Sequence, residues 1–126
     1  MESKRLLVKR VILLASPIGL NPVVTQAATP KAPLAFVKCQ AWHGAAPDAA
    51  ARVGPNLWGV GGTKAGGRAD YACSPALKVS KLAWTNGVLD RYLANPAAML
   101  PGTCMPKVAL MKAARAALTT YLAALK

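Results

Sequence analysis

Histidine occurs once in these 126 residues, as His43, and acidic side chains occur four times, as Glu2, Asp48, Asp70 and Asp90. A Ser-His-Asp site needs an imidazole with a carboxylate beside it, and a paired-acid site needs two carboxyl groups facing one another. Carboxylates scattered at 48, 70 and 90 offer almost no material for either, so the reading is a protein that binds and turns over no substrate. There is no internal repeat and no strand-like alternation. The segment Gly59-Val60-Gly61-Gly62-Thr63-Lys64 has some look of a phosphate loop, but its glycine spacing is wrong and no strand precedes it. It reads as a turn.

What the chain has in excess is positive charge, a formal +12 with sixteen Lys and Arg. Four of these, Lys4, Arg5, Lys9 and Arg10, precede the apolar run from Val11 to Leu20, and small residues follow at Thr25-Gln26-Ala27-Ala28. That order predicts a signal peptide over residues 1–27, with cleavage after Ala27 or Ala28 and export to the periplasm or an equivalent compartment. The apolar run is interrupted by Pro17 and closed by Asn21-Pro22, well short of the ~20 residues a membrane helix needs. One small domain, residues 28–126, remains. It carries twelve Lys and Arg against three Asp, which favours encounter with an acidic partner. Without a basic stripe interleaved with aromatics, nucleic acid is not the expected partner.

Along that domain the signals are helical. A short helix is expected from Ala32 to Trp42 with Leu34, Val37 and Ala41 on its apolar face. Ser74-Pro75 reads as cap and first residue of a second helix through Val79. Thr85 caps a third, with Val88, Leu89, Tyr92 and Leu93 at helical spacing before Asn95-Pro96 ends it. A last helix is expected from Val108 to Leu125, with Leu110, Ala114, Leu118, Tyr121, Leu122 and Leu125 as its stripe. Gly and Pro recur from Gly44 to Gly67 with little periodicity. Helices joined by loops this long make an all-α domain that wraps something.

The chemistry is concentrated in two segments, Cys39-Gln40-Ala41-Trp42-His43 and Pro101-Gly102-Thr103-Cys104-Met105-Pro106. Imidazole nitrogen and thioether sulfur are the axial pair of a six-coordinate haem iron built for electron transfer. A cysteine four residues before the histidine stands where a thioether to a haem vinyl group forms. If Cys39 is so consumed, Cys73 and Cys104 are left to pair; otherwise one of three thiols has no mate.

In the order of these residues the chain resembles the class I cytochromes c, small soluble carriers with one haem, over roughly residues 34–126. His43 falls at the position of the histidine ligand and Met105 at that of the methionine ligand. Gly54-Pro55-Asn56-Leu57 is similar to the family's Gly-Pro-Asn-Leu, which implies that the Pro55 carbonyl accepts the other N–H of the imidazole. Trp84 matches the tryptophan that contacts a haem propionate, Leu89, Tyr92 and Leu93 match the helix that walls the pocket, and Pro101-Gly102-Thr103 begins the ligand loop. The resemblance implies a cytochrome c fold of three to five helices, a haem c attached through Cys39, a cofactor-binding set of Cys39, His43, Pro55, Trp84, Tyr92, Thr103 and Met105, and His43 and Met105 as iron ligands. It implies a monomer exchanging electrons with an oxidase, reductase or dehydrogenase that meets a basic face around Lys38, Lys64, Lys81 and Lys107.

Departures from the pattern are equally concrete. Trp42 replaces the second attachment cysteine, Thr63 an arginine near a propionate, Cys73 a tyrosine that also donates there, and Cys104 the lysine before the ligand methionine. Lys107 stands near a usual aromatic, and Lys31 where a helix-contact glycine is common. They weaken the grip on the propionates and leave both iron ligands in place. Two other readings stand beside the electron carrier: a cytochrome-like binding domain without haem, and a soft-metal, copper-binding protein using Cys39, His43, Cys104 and Met105.

Overall fold

The computed structural model describes Gly19, Val23, Thr25 and residues 28–126. The signal segment read over residues 1–27 lies almost wholly outside the described residues. Among the described residues five α-helices follow one another: α1 Val37–Gln40, α2 Pro75–Val79, α3 Asn86–Ala94, α4 Pro96–Met99 and α5 Lys112–Ala124. A 3-10 turn, Leu34–Phe36, runs directly into α1. Among the described residues there is no strand, only an antiparallel bridge between Lys64 and Ala83.

The opening turn and α3 both pack on α5, and the buried cluster is Phe36, Cys39, Leu89, Leu93, Leu118, Tyr121, Leu122 and Leu125. Leu118 and Leu125 are fully enclosed. Phe36 and Tyr121 meet edge to face at 5.0 Å between ring centres, a geometry that adds to the gain from burying both rings. Arg115 Nε donates to Asp90 Oδ1 at 2.7 Å, joining α5 to α3 beside this core.

Caps follow the sequence signals at α2 and α3. The Leu77 N–H donates to Ser74 Oγ at 3.4 Å and the Val88 N–H to Thr85 Oγ1 at 3.3 Å. Asn95 ends α3 and also starts α4, where its Oδ1 accepts from the Ala98 N–H at 3.2 Å. The pair Asn95-Pro96 is both a stop for one helix and a cap with Pro at N1 for the next.

Two expectations are corrected. The face Leu34, Val37 and Ala41 points outward, with Leu34 92% exposed, and the buried face of the first helical segment is Phe36 and Cys39. Pro33, with ψ at 156°, stands before the helical segment as its N-cap and not within it, and the set Phe36, Cys39 and His43 is also helically spaced. Burying an aromatic against Tyr121 then outweighs burying Leu34. The last helix begins at Lys112 rather than Val108: residues 106–111 lie outside any helix, and Met111 before it is extended at ψ 153°. The Ala109 carbonyl accepts instead from Lys38 Nζ at 2.7 Å.

The glycine loop before the bridge is pinned to the end of α5. The Gly59 N–H donates to the Leu125 carbonyl at 2.8 Å, and a Cβ on Gly61 would fall 2.8 Å from the backbone of Ala123. Gly61→Ala is therefore expected to lower stability by about 1–3 kcal/mol through overpacking. Gly87→Ala, in α3 with open space around the added methyl, is expected to raise it by about 0.5–1 kcal/mol. Thermal unfolding of the two variants beside the parent checks both signs.

Candidate functional site

Between the loops and α3 lies a cavity of about 520 Å³, within the range of small-molecule and cofactor sites. Six of the residues expected to bind a cofactor line it: Cys39, His43, Pro55, Trp84, Tyr92 and Met105. The seventh, Thr103, does not line it. It stands behind, its hydroxyl paired with the Tyr92 hydroxyl at 2.5 Å and accepting the Met105 N–H at 3.4 Å. The loop that carries Met105 is thus tied to α3 at the residue two before the sulfur.

His43 follows α1 and is placed by its own N–H, which donates to the Cys39 carbonyl at 2.9 Å. Its ring is fixed by Nδ1–H, which donates to the Pro55 carbonyl at 2.8 Å. In that tautomer Nε2 keeps its lone pair. Gly54 leaves room for the ring, since a Cβ there would fall within 3.0 Å of Cε1, Nδ1 and Nε2. The chain on either side is locked as well: the Gly54 N–H donates to the Trp42 carbonyl at 2.7 Å, and buried Asn56 donates to the Ala46 carbonyl at 2.8 Å. Each residue of Gly54-Pro55-Asn56 has a distinct task, which is to clear, to accept and to brace.

Burial lowers the His43 pKa below its usual 6.5, with the Pro55 bond pulling the other way. Burial pushes the Cys39 thiol up, so it stays protonated at neutral pH. The three cysteines are free thiols, Cys39 and Cys73 buried and Cys104 exposed. Among the described residues no three His, Cys, Asp or Glu side chains cluster, so Cys39, His43 and Cys104 do not converge on a common point.

Trp84 meets Tyr92 edge to face at 4.9 Å between ring centres. Its backbone pairs with the glycine loop, N–H to the Thr63 carbonyl at 2.8 Å and carbonyl from the Gly62 N–H at 3.0 Å. Trp42 is 47% exposed and lies on the cavity wall. Lys38, Lys64, Lys81 and Lys107 are all exposed. Sequence reasoning passed over Arg68 and Tyr71, which also line the cavity. Tyr71 donates to the Val53 carbonyl at 2.7 Å, closing the loop over the histidine side.

No protein-family model matches the chain. It is 44% identical over 75 residues to cytochrome c2 of Rhodomicrobium vannielii, covering 60% of each protein. With cytochrome c of Trypanosoma brucei brucei it shares 45% identity over 75 residues, 59% of this chain and 81% of that one. Cytochrome cH from Methylobacterium extorquens has a similar solved structure, with TM-score 0.62, 40% identity, and 70% of this chain and 89% of that one covered. The chain spans 60%, 65% and 52% of the length of three bacterial relatives, the Rhodomicrobium protein and the cytochromes c-550 of Nitrobacter winogradskyi and Bradyrhizobium diazoefficiens. The chain belongs to the class I cytochromes c, and its all-α architecture of five helices is the fold of that family.

The lowered pKa leaves the His43 imidazole neutral at neutral pH. Because the unfolded chain takes up a proton on this group first, its contribution to stability falls as pH drops through 6.5. The unfolding temperature should accordingly begin to fall on the acid side of pH 6.5. Thermal unfolding measured through an acid titration checks it, and a His43 resonance in NMR that titrates at or above pH 6.5 would show an imidazole as free as one in water.

Proposed function

We propose that this protein is a one-electron carrier that holds a single haem c, ligated by His43 and Met105 and attached through Cys39 alone. The observation that carries this reading is the His43 ring. Its Nδ1–H is bound to Pro55 and its Nε2 is left as a donor in a cavity that Met105 also lines. The donor set suits haem iron: a neutral imidazole, a soft thioether, and a wall of Leu89, Leu93, Leu118 and Leu122 that keeps water out.

When bound, the haem supplies an iron that takes up and releases one electron. The chain's own residues set the terms. Pro55 fixes the tautomer and strengthens donation from Nε2. The Met105 sulfur favours the ferrous form and raises the potential. The Tyr92–Thr103 pair restrains the loop, so little rearrangement accompanies the change of charge. Exposed Lys38, Lys64, Lys81 and Lys107 steer an acidic face of a membrane oxidase or reductase, or of an exported dehydrogenase, to the molecule. Residues 1–27 direct export to the periplasm, residues 28–126 form the carrier, and it works as a monomer.

The ligand set is tested by two substitutions. Met105→Ala should keep haem and lose the low-spin six-coordinate state. His43→Ala should abolish stable incorporation, since the chain has no other imidazole. Met99 and Met111 do not line the cavity, so persistence of the methionine–iron charge-transfer band in Met105→Ala would overturn the assignment. A wild-type protein with no Soret band would favour the haem-free binding domain, and a weak visible band alone the copper protein.

Attachment is tested separately. Haem held by one thioether should resist extraction into acidified acetone and give a haemochrome spectrum between those of haem with both vinyls saturated and with neither. Trp42→Cys should add the second bond and stabilise by about 1–3 kcal/mol, by analogy with a cross-link. The opposing loss of packing is small, because the indole is half in solvent. Full extraction of the wild-type haem would mean a non-covalent site. A Trp42→Cys protein that gains no second thioether beside a competent maturation system would mean that Cys39 and His43 are not arranged for attachment.

A further inference from the structure

Most hydrogen-bond donors on the cavity wall are already committed to the protein. Thr63 Oγ1 donates to the Val60 carbonyl and Tyr71 to the Val53 carbonyl, each at 2.7 Å. Lys38 reaches Ala109, Asn56 reaches Ala46, and Tyr92 is paired with Thr103. Arg68 is different. Its Nε and Nη2 donate to the two carboxylate oxygens of Asp70 at 2.8 and 2.6 Å, and its Nη1 to the Trp58 carbonyl at 3.4 Å. A guanidinium has five N–H groups, so one on Nη1 and one on Nη2 remain. They form the end-on edge of the fork, the geometry that receives a second carboxylate. Asp70 is the more exposed member of the pair, 51% against 35% for Arg68, and Arg68 alone of the two lines the cavity.

We propose that Arg68 binds a carboxylate of the cofactor through this free edge, doing from five residues downstream what neither Thr63 nor Cys73 can do. Thr63 has its hydroxyl hydrogen in use, and the Cys73 thiol is a weak donor. Trp84, at the position where the family's tryptophan contacts a propionate, lines the same cavity, and its indole N–H has no partner among the described residues. Asp70 acts as a positioning residue that holds the fork from the solvent side. The proposal rests on the haem reading, since haem propionates are the carboxylates concerned.

The test uses the full chain, produced without attached haem and titrated with haemin and with haemin dimethyl ester, which lacks both carboxylates. The ratio of the two affinities within one variant cancels any general loss of stability. Wild type should prefer the diacid by about ten-fold or more, the size of one charge-assisted pair. Arg68→Ala should bring the ratio near one, Arg68→Lys should recover part of it, and Asp70→Ala, which frees the fork to move, should lower it by less than Arg68→Ala does. An undiminished ratio in Arg68→Ala overturns the proposal. So does a loss in Asp70→Ala as complete as in Arg68→Ala, which would mean that the ion pair only shapes the loop. A wild type that binds both forms equally removes the carboxylate contact while leaving haem binding intact. One that binds neither overturns the haem reading and this proposal with it.

Discussion

The 2.8 Å bond from His43 Nδ1–H to the Pro55 carbonyl requires three separate parts of the chain to agree. Gly54 must lack a side chain, or the ring has no place to lie. The Trp42 carbonyl must hold the Gly54 N–H, or the proline drifts away. Cys39 must sit inward so that the end of α1 delivers the imidazole to the cavity rather than to solvent. The packing of Phe36 on Tyr121 serves that last condition, because the face of the segment that buries Phe36 is also the face that carries Cys39. The free lone pair on Nε2 is what all of this produces.

The two sides of the cavity are built on different terms. On the side of His43 and Met105 the hydrogen bonds close among the protein's own groups, so the imidazole and the Met105 loop are held in place by the protein alone. On the side of Thr63 and Cys73 the protein satisfies much of itself, and among the described residues Arg68, Lys64 and the indole of Trp84 are left over. Two of the substitutions that make this sequence look defective, Thr63 and Cys73, fall on that side. Trp42 affects attachment, and Cys104 is exposed beside Met105 without displacing it from the cavity wall.

Much of this was legible in the sequence, and the reason lies in the kind of signal. Ser74, Thr85 and the Pro55 carbonyl are devices whose partners lie three to twelve residues away, and such devices survive without knowledge of the tertiary fold. The orientation of the first helical segment was not legible. Leu34, Val37 and Ala41 and the competing set Phe36, Cys39 and His43 fit a helix equally well, and only the ring of Tyr121, far along the chain, decides between them. The short helix α4 was hidden because Asn95-Pro96 was read as a stop when it is also a start. The start of α5 was misplaced because apolar spacing continues through Val108 and Leu110 while the chain there is not helical and Met111 is extended. Arg68 escaped notice because its importance depends on which of its five hydrogens are left over, a count that needs coordinates.

Lys38 and Ala109, which meet at 2.7 Å, are 71 residues apart in the chain. Closing a loop of that length costs about 4 kcal/mol in chain entropy, growing only as the logarithm of the length. Phe36 on Tyr121 and Lys38 on Ala109 meet that cost at nearly the same two ends, so it is incurred once. Everything between then hangs from a ring already shut. Within it, chain entropy does not set the length of the stretch from Gly44 to Arg52, since doubling it would add only about 0.6 kcal/mol. What sets it is three ties: Leu57 on the Gly44 carbonyl, Asn56 on the Ala46 carbonyl, and Arg52 on the Gln40 carbonyl. Evolution or design that lengthens this stretch therefore has to work around three hydrogen bonds and not around the closing of the ring.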